Sequence, residues 1–205
     1  MSSFLDEEVP PVNPLSTAVI EELGRCVLQQ LAPDMLMKPQ PLNVLDLVDS
    51  RLPEFGIHVC PATREELGNR DGATDPNGNV EITILVSEDV WDGLESEAPK
   101  SHYAKTTVCH ELGHALIHVP ILRRRLLLNN VLARTQRSNL RPYEDPEWQA
   151  WTFAGSILLP RTTLDMLEKR YGRISVDLVS TTYEISPDMA SNHLRRLKWQ
   201  GFSAA

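Results

Sequence analysis

Cysteine is scarce in this chain and scattered: Cys26, Cys60 and Cys109 are odd in number and far apart. That excludes a disulfide framework and a cysteine-built zinc site. Long apolar runs are missing as well. The stretch Ile117 to Leu122 is far shorter than the ~20 residues a membrane-spanning helix needs, and Pro120 interrupts it. No membrane partner is expected. The amino terminus, Met-Ser-Ser-Phe-Leu-Asp-Glu-Glu, lacks the basic start and apolar core of a secretory leader, so the expected location is cytoplasmic. A positive surplus is also missing: 20 Lys and Arg against 28 Asp and Glu give a net charge of -8, which argues against wholesale nucleic-acid binding. Internal repeats and low-complexity tracts do not occur. What is there, 205 residues at 41% hydrophobic content, suits one substantial soluble domain, or a domain with a small appendage.

Residues 1–15 carry Pro10, Pro11, Pro14 and an acidic cluster, and read as a poorly ordered lead-in. From Thr17 to Leu31 apolar residues recur at helical spacing, with Cys26 expected as a small core residue of that helix. Asn43 caps a second helix running to about Leu52. Gly56 to Pro61 alternates as a short strand. Asp71-Gly72 and the Asp75 to Asn79 stretch are turn signals. They precede Val80 to Val86, the clearest strand, with Val80, Ile82, Ile84 and Val86 on one buried face. A polar stretch follows through Ser101, then a helix expected to end at Pro120. Residues 121–142 read as a helix and a mobile loop. Asp145-Pro146-Glu147 is a well-formed helix start, with Asp as cap and Pro at the first position. That helix stops at Pro160, and Thr163 to Tyr171 forms another, closed by Gly172. Residues after Ser175 have a helix-turn-helix rhythm, with Ser186-Pro187 capping a last helix to about Trp199.

The chemistry concentrates in His110-Glu111-Leu112-Gly113-His114. His110 and His114 are one helical turn apart on one face, so both imidazoles can reach one metal ion. Glu111 between them is placed to take a proton from water activated at that metal. Gly113 offers a spot without a side chain for close packing. A catalytic zinc needs a third protein ligand. His118 is a poor choice, because eight residues of helix separate it from His110 by roughly 12 Å. The Gly-containing extension that turns the chain in metzincins is absent too. His118 therefore reads as a supporting or structural histidine. The remaining choices are two carboxylates, Glu147 on the helix capped by Asp145 and Glu144 just before it. Either one taken alone could be an ordinary helix-end acid.

Thr107 to His114, together with Glu147-Trp148-Gln149-Ala150-Trp151-Thr152-Phe153-Ala154 and the closing Leu158-Leu159-Pro160, resembles the ImmA/IrrE family of metallopeptidases. The resemblance spans roughly residues 55–200. It implies an α+β, mostly helical, zincin-like domain with a small sheet and a C-terminal helix-turn-helix-like segment. Residues 16–205 are expected to form a single domain: N-terminal helices over 16–54, a catalytic core over 55–160 and a helical segment over 161–205. By motif position the resemblance makes His110, His114 and Glu147 the ligands of one Zn2+, with Mn2+ as the alternative ion, and Glu111 the catalytic base. The implied activity is that of a zinc endopeptidase acting on a helix-turn-helix repressor or related regulatory protein, in stress response or transcription regulation. Lys105, Gln149 and Trp151 depart from the residues usual in the family, and residues 1–50 lie outside the resemblance.

Two other functional classes fit parts of the sequence. One is a metal-containing regulatory or toxin–antitoxin-like binding protein with little turnover. The other is a DNA-binding regulator that uses the terminal helices through Arg195, Arg196 and Lys198. Leu194 and Leu197 instead suggest that this segment packs inward, so direct DNA binding is not expected. The Arg123-Arg124-Arg125 run reads as a solvated face. Cys109 points about 100° away from His110 around the helix and is expected to be a buried neighbour. Tyr103 and Tyr143 are candidates, by sequence proximity alone, for stabilising an oxyanion. The strand Val80 to Val86 is expected to border the cleft.

Overall fold

The computed structural model describes residues 8–9, 12–75, 80–127 and 135–199. Helix α1, Thr17–Leu31, matches the sequence expectation at both ends and is capped by the Ser16 hydroxyl, which accepts from Val19 N–H. Its buried stripe is Ile20, Gly24, Leu28 and Leu31, so Cys26 lies on the opposite face and is exposed rather than in the core. Gly24 lies where α1 meets a later helix, since a Cβ there would come within 2.0 Å of Ser156 Oγ. Within the expected lead-in, Glu8–Val9 (β1) pairs with Thr135–Gln136, and Val9 and Val12 are buried. Residues 1–7 and 10–11 fall outside the described residues.

Asn43 caps α2, Val44–Asp46, and the helix continues as a π turn over Leu47–Arg51. Strand β2, Ile57–Ala62, follows Gly56, whose φ of 69° is left-handed and suits glycine. Thr63 and Glu66 form a reciprocal capping box on the short α3, Arg64–Leu67. Strands β3, Gly72–Asp75, and β4, Ile82–Ser87, complete a mixed sheet of order β2-β4-β3, with β4 parallel to β2 and antiparallel to β3. Two expectations need correction here. Gly72 belongs to a strand and not to a turn, and Val80 is 87% exposed, outside β4. The buried alternation survives at Ile84 and Val86. The remaining turn signals, at 76–79, lie outside the described residues.

Ser87 ends β4 and caps α4, Glu88–Gly93, a helix the polar sequence conceals because it is only six residues long and half acidic. Helix α5, Lys100–Gly113, is buried continuously from Thr106 onwards. Its hydroxyls tolerate this because Thr106 donates to His102 O and Thr107 to Tyr103 O, satisfying each within the helix. The helix does not end at Pro120. It passes through a π turn, His114–His118, into α6, Val119–Leu127. The π turn resets the hydrogen-bond ladder just before the proline, which then sits in the first turn of the next segment, where its missing N–H is tolerated. Residues 128–134, where a loop is expected, are outside the described set.

After β5, Thr135–Gln136, helix α7 runs over Pro146–Leu158 with Asp145 as its cap. It is the centre of the fold: it packs against α1, α5 and the final helix, and Ala150, Phe153 and Ala154 are fully buried. Helices α8, Arg161–Tyr171, α9, Val176–Tyr183, and α10, Pro187–Arg196, close the structure. Leu194 and Leu197 are buried as expected, and α10 ends three residues before Trp199. The molecule is mostly helical α+β, and one hydrophobic cluster runs through it from Ile20 on α1 to Leu197.

Candidate metal centre

Helices α5 and α7 cross at Gly113. A Cβ at that position would lie 3.0 Å from Ala150 Cα and 3.1 Å from its carbonyl, so a side chain there would push the neighbouring backbone away by a few tenths of an ångström. Two small residues thus bring the His-Glu-x-x-His helix against the helix that starts at Asp145. The consequence is a cluster of His110, His114 and Glu147. The Nε2 atoms of His110 and His114 are 3.1 Å apart. Glu147 Oε2 lies 3.2 Å from His110 Nε2, and its Oε1 lies 3.2 Å from His114 Nε2. Tetrahedral ligands at ~2.0–2.1 Å from zinc stand about 3.3–3.4 Å apart, so this donor set fits such an ion with little movement.

The electrostatics agree with that fit. Burial raises the Glu147 carboxyl, but the hydrogen bonds and charges of His110 and His114 overcome it and hold the group well below the usual carboxylate range. Burial likewise opposes the charged form of His114, and Glu147, with smaller help from Glu111 and Asp145, raises its pKa above the ordinary value. Two imidazoles and a carboxylate converging on one point are chemically suited to a borderline divalent ion. Glu144 is not in the cluster. Its carboxylate turns back to accept from Arg141 N–H at 3.0 Å.

Glu111 is 7% exposed and held from the sheet side. Thr74 Oγ1 on β3 lies 2.8 Å from Glu111 Oε2 and 3.0 Å from its main-chain oxygen. Two residues away, a Cβ on Gly72 would meet Glu111 Cγ at 2.7 Å. The strand beside the cluster is therefore the edge strand β3, whereas β4, expected there, is the central strand with partners on both sides.

Each histidine of the pair is supported differently. The Trp151 ring lies over His110, with centroids 4.2 Å apart, while His110 Nδ1 is buried with no hydrogen-bond partner among the described residues. His114 Nδ1 is 2.9 Å from His118 Nδ1, and His118 Nε2 is 3.0 Å from Gln149 Oε1. Burial lowers the His118 pKa to about 4, so its ring is neutral at pH 7. His118 thus lies outside the three-residue cluster and meets it through the His114 ring. Gln149 and Thr74 went unrecognised in the sequence.

The tyrosines are occupied elsewhere: Tyr103 donates to Asp71, and Tyr143 pairs with Arg141. Cys109 is buried, and burial pushes its thiol far up, leaving it protonated. Arg123 does not simply face solvent but donates to the carbonyls of Val80 and Glu81. Arg124 is exposed. The side chain of Arg125 and the whole of Arg134 lie outside the described set. No helix among the described residues is long and apolar enough to cross a membrane.

Comparison with known proteins agrees with this geometry. Residues 100–195 match the family model of the IrrE N-terminal-like domain, a metallopeptidase family. The matched stretch holds both histidines, Glu111, Glu147 and the terminal helices, and begins later than the resemblance read from residue 55. No curated protein matches the chain. Through residues 100–195, which carry both helices of the cluster, the chain is similar to the IrrE N-terminal-like domain.

Proposed function

We propose that the chain is a zinc-dependent endopeptidase that cleaves a helix-turn-helix repressor or a related regulatory protein in the cytoplasm, with residues 16–205 working as one unit. The observation that carries this reading is the convergence of three side chains from two helices, with contacts of 3.1–3.2 Å between their nitrogen and oxygen atoms. His110, His114 and Glu147 would hold the metal. When bound, the ion supplies Lewis acidity and lowers the pKa of water at its open position.

The remaining work falls to the chain. Glu111 accepts a proton from the attacking water and delivers it to the departing amine nitrogen. Its carboxylate is in electrostatic reach of His114 and is steadied by Thr74. The outer edge of β3 is the part of the sheet beside Glu111, and it offers an extended substrate segment a place to add as a strand. The family supports peptide-bond hydrolysis. The repressor substrate follows from the family resemblance alone.

The test compares wild type with Glu111→Gln on a repressor encoded nearby. Glu111→Gln should retain metal while cleavage falls by roughly 10²–10⁴-fold, the usual worth of a positioned base. Stable capture of the repressor without cleavage by either protein would instead mark a metal-holding binding protein.

A further inference from the structure

We propose that His118 and Gln149 form a one-directional hydrogen-bond chain that sets the tautomer of His114, and that the segment preceding α1 holds this chain in place. The inference rests on the metallopeptidase reading and extends it to a part of the molecule outside the matched residues.

The chain begins at two obligate acceptors. Gln149 Nε2 lies 2.9 Å from Asn13 O and 2.8 Å from Tyr143 O. Carbonyl oxygens cannot donate, so only the amide nitrogen can face them, and the amide orientation is fixed. Gln149 Oε1 then faces His118 Nε2 at 3.0 Å. An amide oxygen only accepts, so His118 carries its proton on Nε2, and in a neutral ring Nδ1 is bare. That bare nitrogen is 2.9 Å from His114 Nδ1, which must therefore be the N–H donor. A neutral His114 is then left with its lone pair on Nε2, the atom that faces His110 Nε2 and Glu147. A metal-ligating imidazole needs this arrangement, and groups that impose it tune ligand basicity.

The anchor is distant in sequence. Asn13 is 136 residues from Gln149. The Tyr143 carbonyl that receives Gln149 also receives Leu15 N–H at 2.9 Å. Residues 13–15 and 143 thus form one clamp on the amide, while Gln149 and His118 are almost wholly buried. His110 has no comparable support among the described residues, where its Nδ1 meets no partner. The chain of hydrogen bonds serves one ligand of the pair. Gln149 and His118 are positioning residues.

The experiment uses the full chain with 15N-labelled histidine, zinc-free and titrated with zinc. In the zinc-free wild type, at an alkaline pH that leaves both rings neutral, imidazole nitrogen shifts should report His118 as the Nε2–H tautomer and His114 as the Nδ1–H tautomer. Gln149→Leu, which neither accepts nor donates, should weaken zinc binding 10–100-fold and mix the His114 tautomers. Gln149→Glu still accepts from His118 but cannot donate to Asn13 and Tyr143. It should bind zinc within a few-fold of wild type, yet exchange the Leu15 amide proton faster. His118 found as the Nδ1–H tautomer in wild type, or zinc affinity unchanged in Gln149→Leu, would overturn the proposal. His110→Ala separates the two readings. If it keeps zinc at wild-type affinity, the metal assignment fails, while the zinc-free wild-type tautomers still judge the hydrogen-bond chain independently.

Discussion

At the residue scale, Glu111 is held on two sides by residues that contribute no charge. Gly72 leaves the space its side chain fills, and the Thr74 hydroxyl lies 2.8 Å from its carboxylate. A hydrogen bond to a charged group is worth ~1.5–3 kcal/mol, so Thr74→Val should lower kcat by about 10–100-fold while metal content stays at the wild-type level. Metal analysis alongside peptide-cleavage kinetics checks this, and a loss of metal would show that Thr74 shapes the cluster and not the base. Gly72→Ala should be harsher, since the new methyl would meet Glu111 Cγ at 2.7 Å and the buried carboxylate would have to turn.

At the scale of elements, the centre depends on how closely α5 and α7 approach. Gly113→Ala would place a methyl 3.0 Å from the Ala150 backbone, which cannot swing away as a side chain can. The helices should part, costing ~1–3 kcal/mol of stability. Zinc affinity should fall by at least tenfold, because the imidazoles are on one helix and Glu147 on the other. Chemical denaturation and zinc titration measure the two losses separately. The four residues with proposed site roles were legible in the sequence for this same reason. Two ligands four apart on a helix leave a local signature, and Asp145-Pro146 announces the helix that carries the third. Their support was not legible, because Thr74 is 37 residues from Glu111 and Gln149 is 31 from His118, pairings that only the folded chain creates. Among the elements, α4 was hidden by its shortness, and Pro120 was mistaken for a helix end because the π turn before it leaves no trace in residue type. The strand beside the site was misplaced because β4 has the stronger alternation, whereas Asp71-Gly72 and Asp75 make β3 look like a turn.

At the scale of the whole molecule, α1 and α10 meet through a buried pair remote in sequence from the proposed ligands. Glu21 Oε1 lies 3.5 Å from His193 Nε2, and His193 is fully buried. Burial pushes the Glu21 carboxyl up to about 7, against a smaller opposing effect of Arg161, and lowers His193 to about 3, helped by Arg196. Between about pH 3 and 7 the pair is thus held as a neutral acid and a neutral imidazole. Because the folded Glu21 binds its proton more tightly than the unfolded one, its favourable contribution is complete below about pH 4.5 and is lost as pH rises to about 7. His193 works the other way: its contribution is present above 6.5 and lost as pH falls towards 3. Their slopes cancel in the window between. Glu21→Gln removes only the first, so its stability relative to wild type should rise by roughly 1.4 kcal/mol per pH unit between about 4.5 and 7. Urea denaturation of both proteins across that range provides the measurement, and parallel pH profiles would show that Glu21 is solvated.

Metal content of the purified chain tests the His110–His114–Glu147 centre most directly. Wild type should carry about one zinc per chain, His110→Ala and Glu147→Ala should lose most of it, and Glu144→Ala should keep it, with all three variants folded by circular dichroism. A Glu147→Ala protein that retains full zinc, or a Glu144→Ala protein that loses it, would contradict the ligand set.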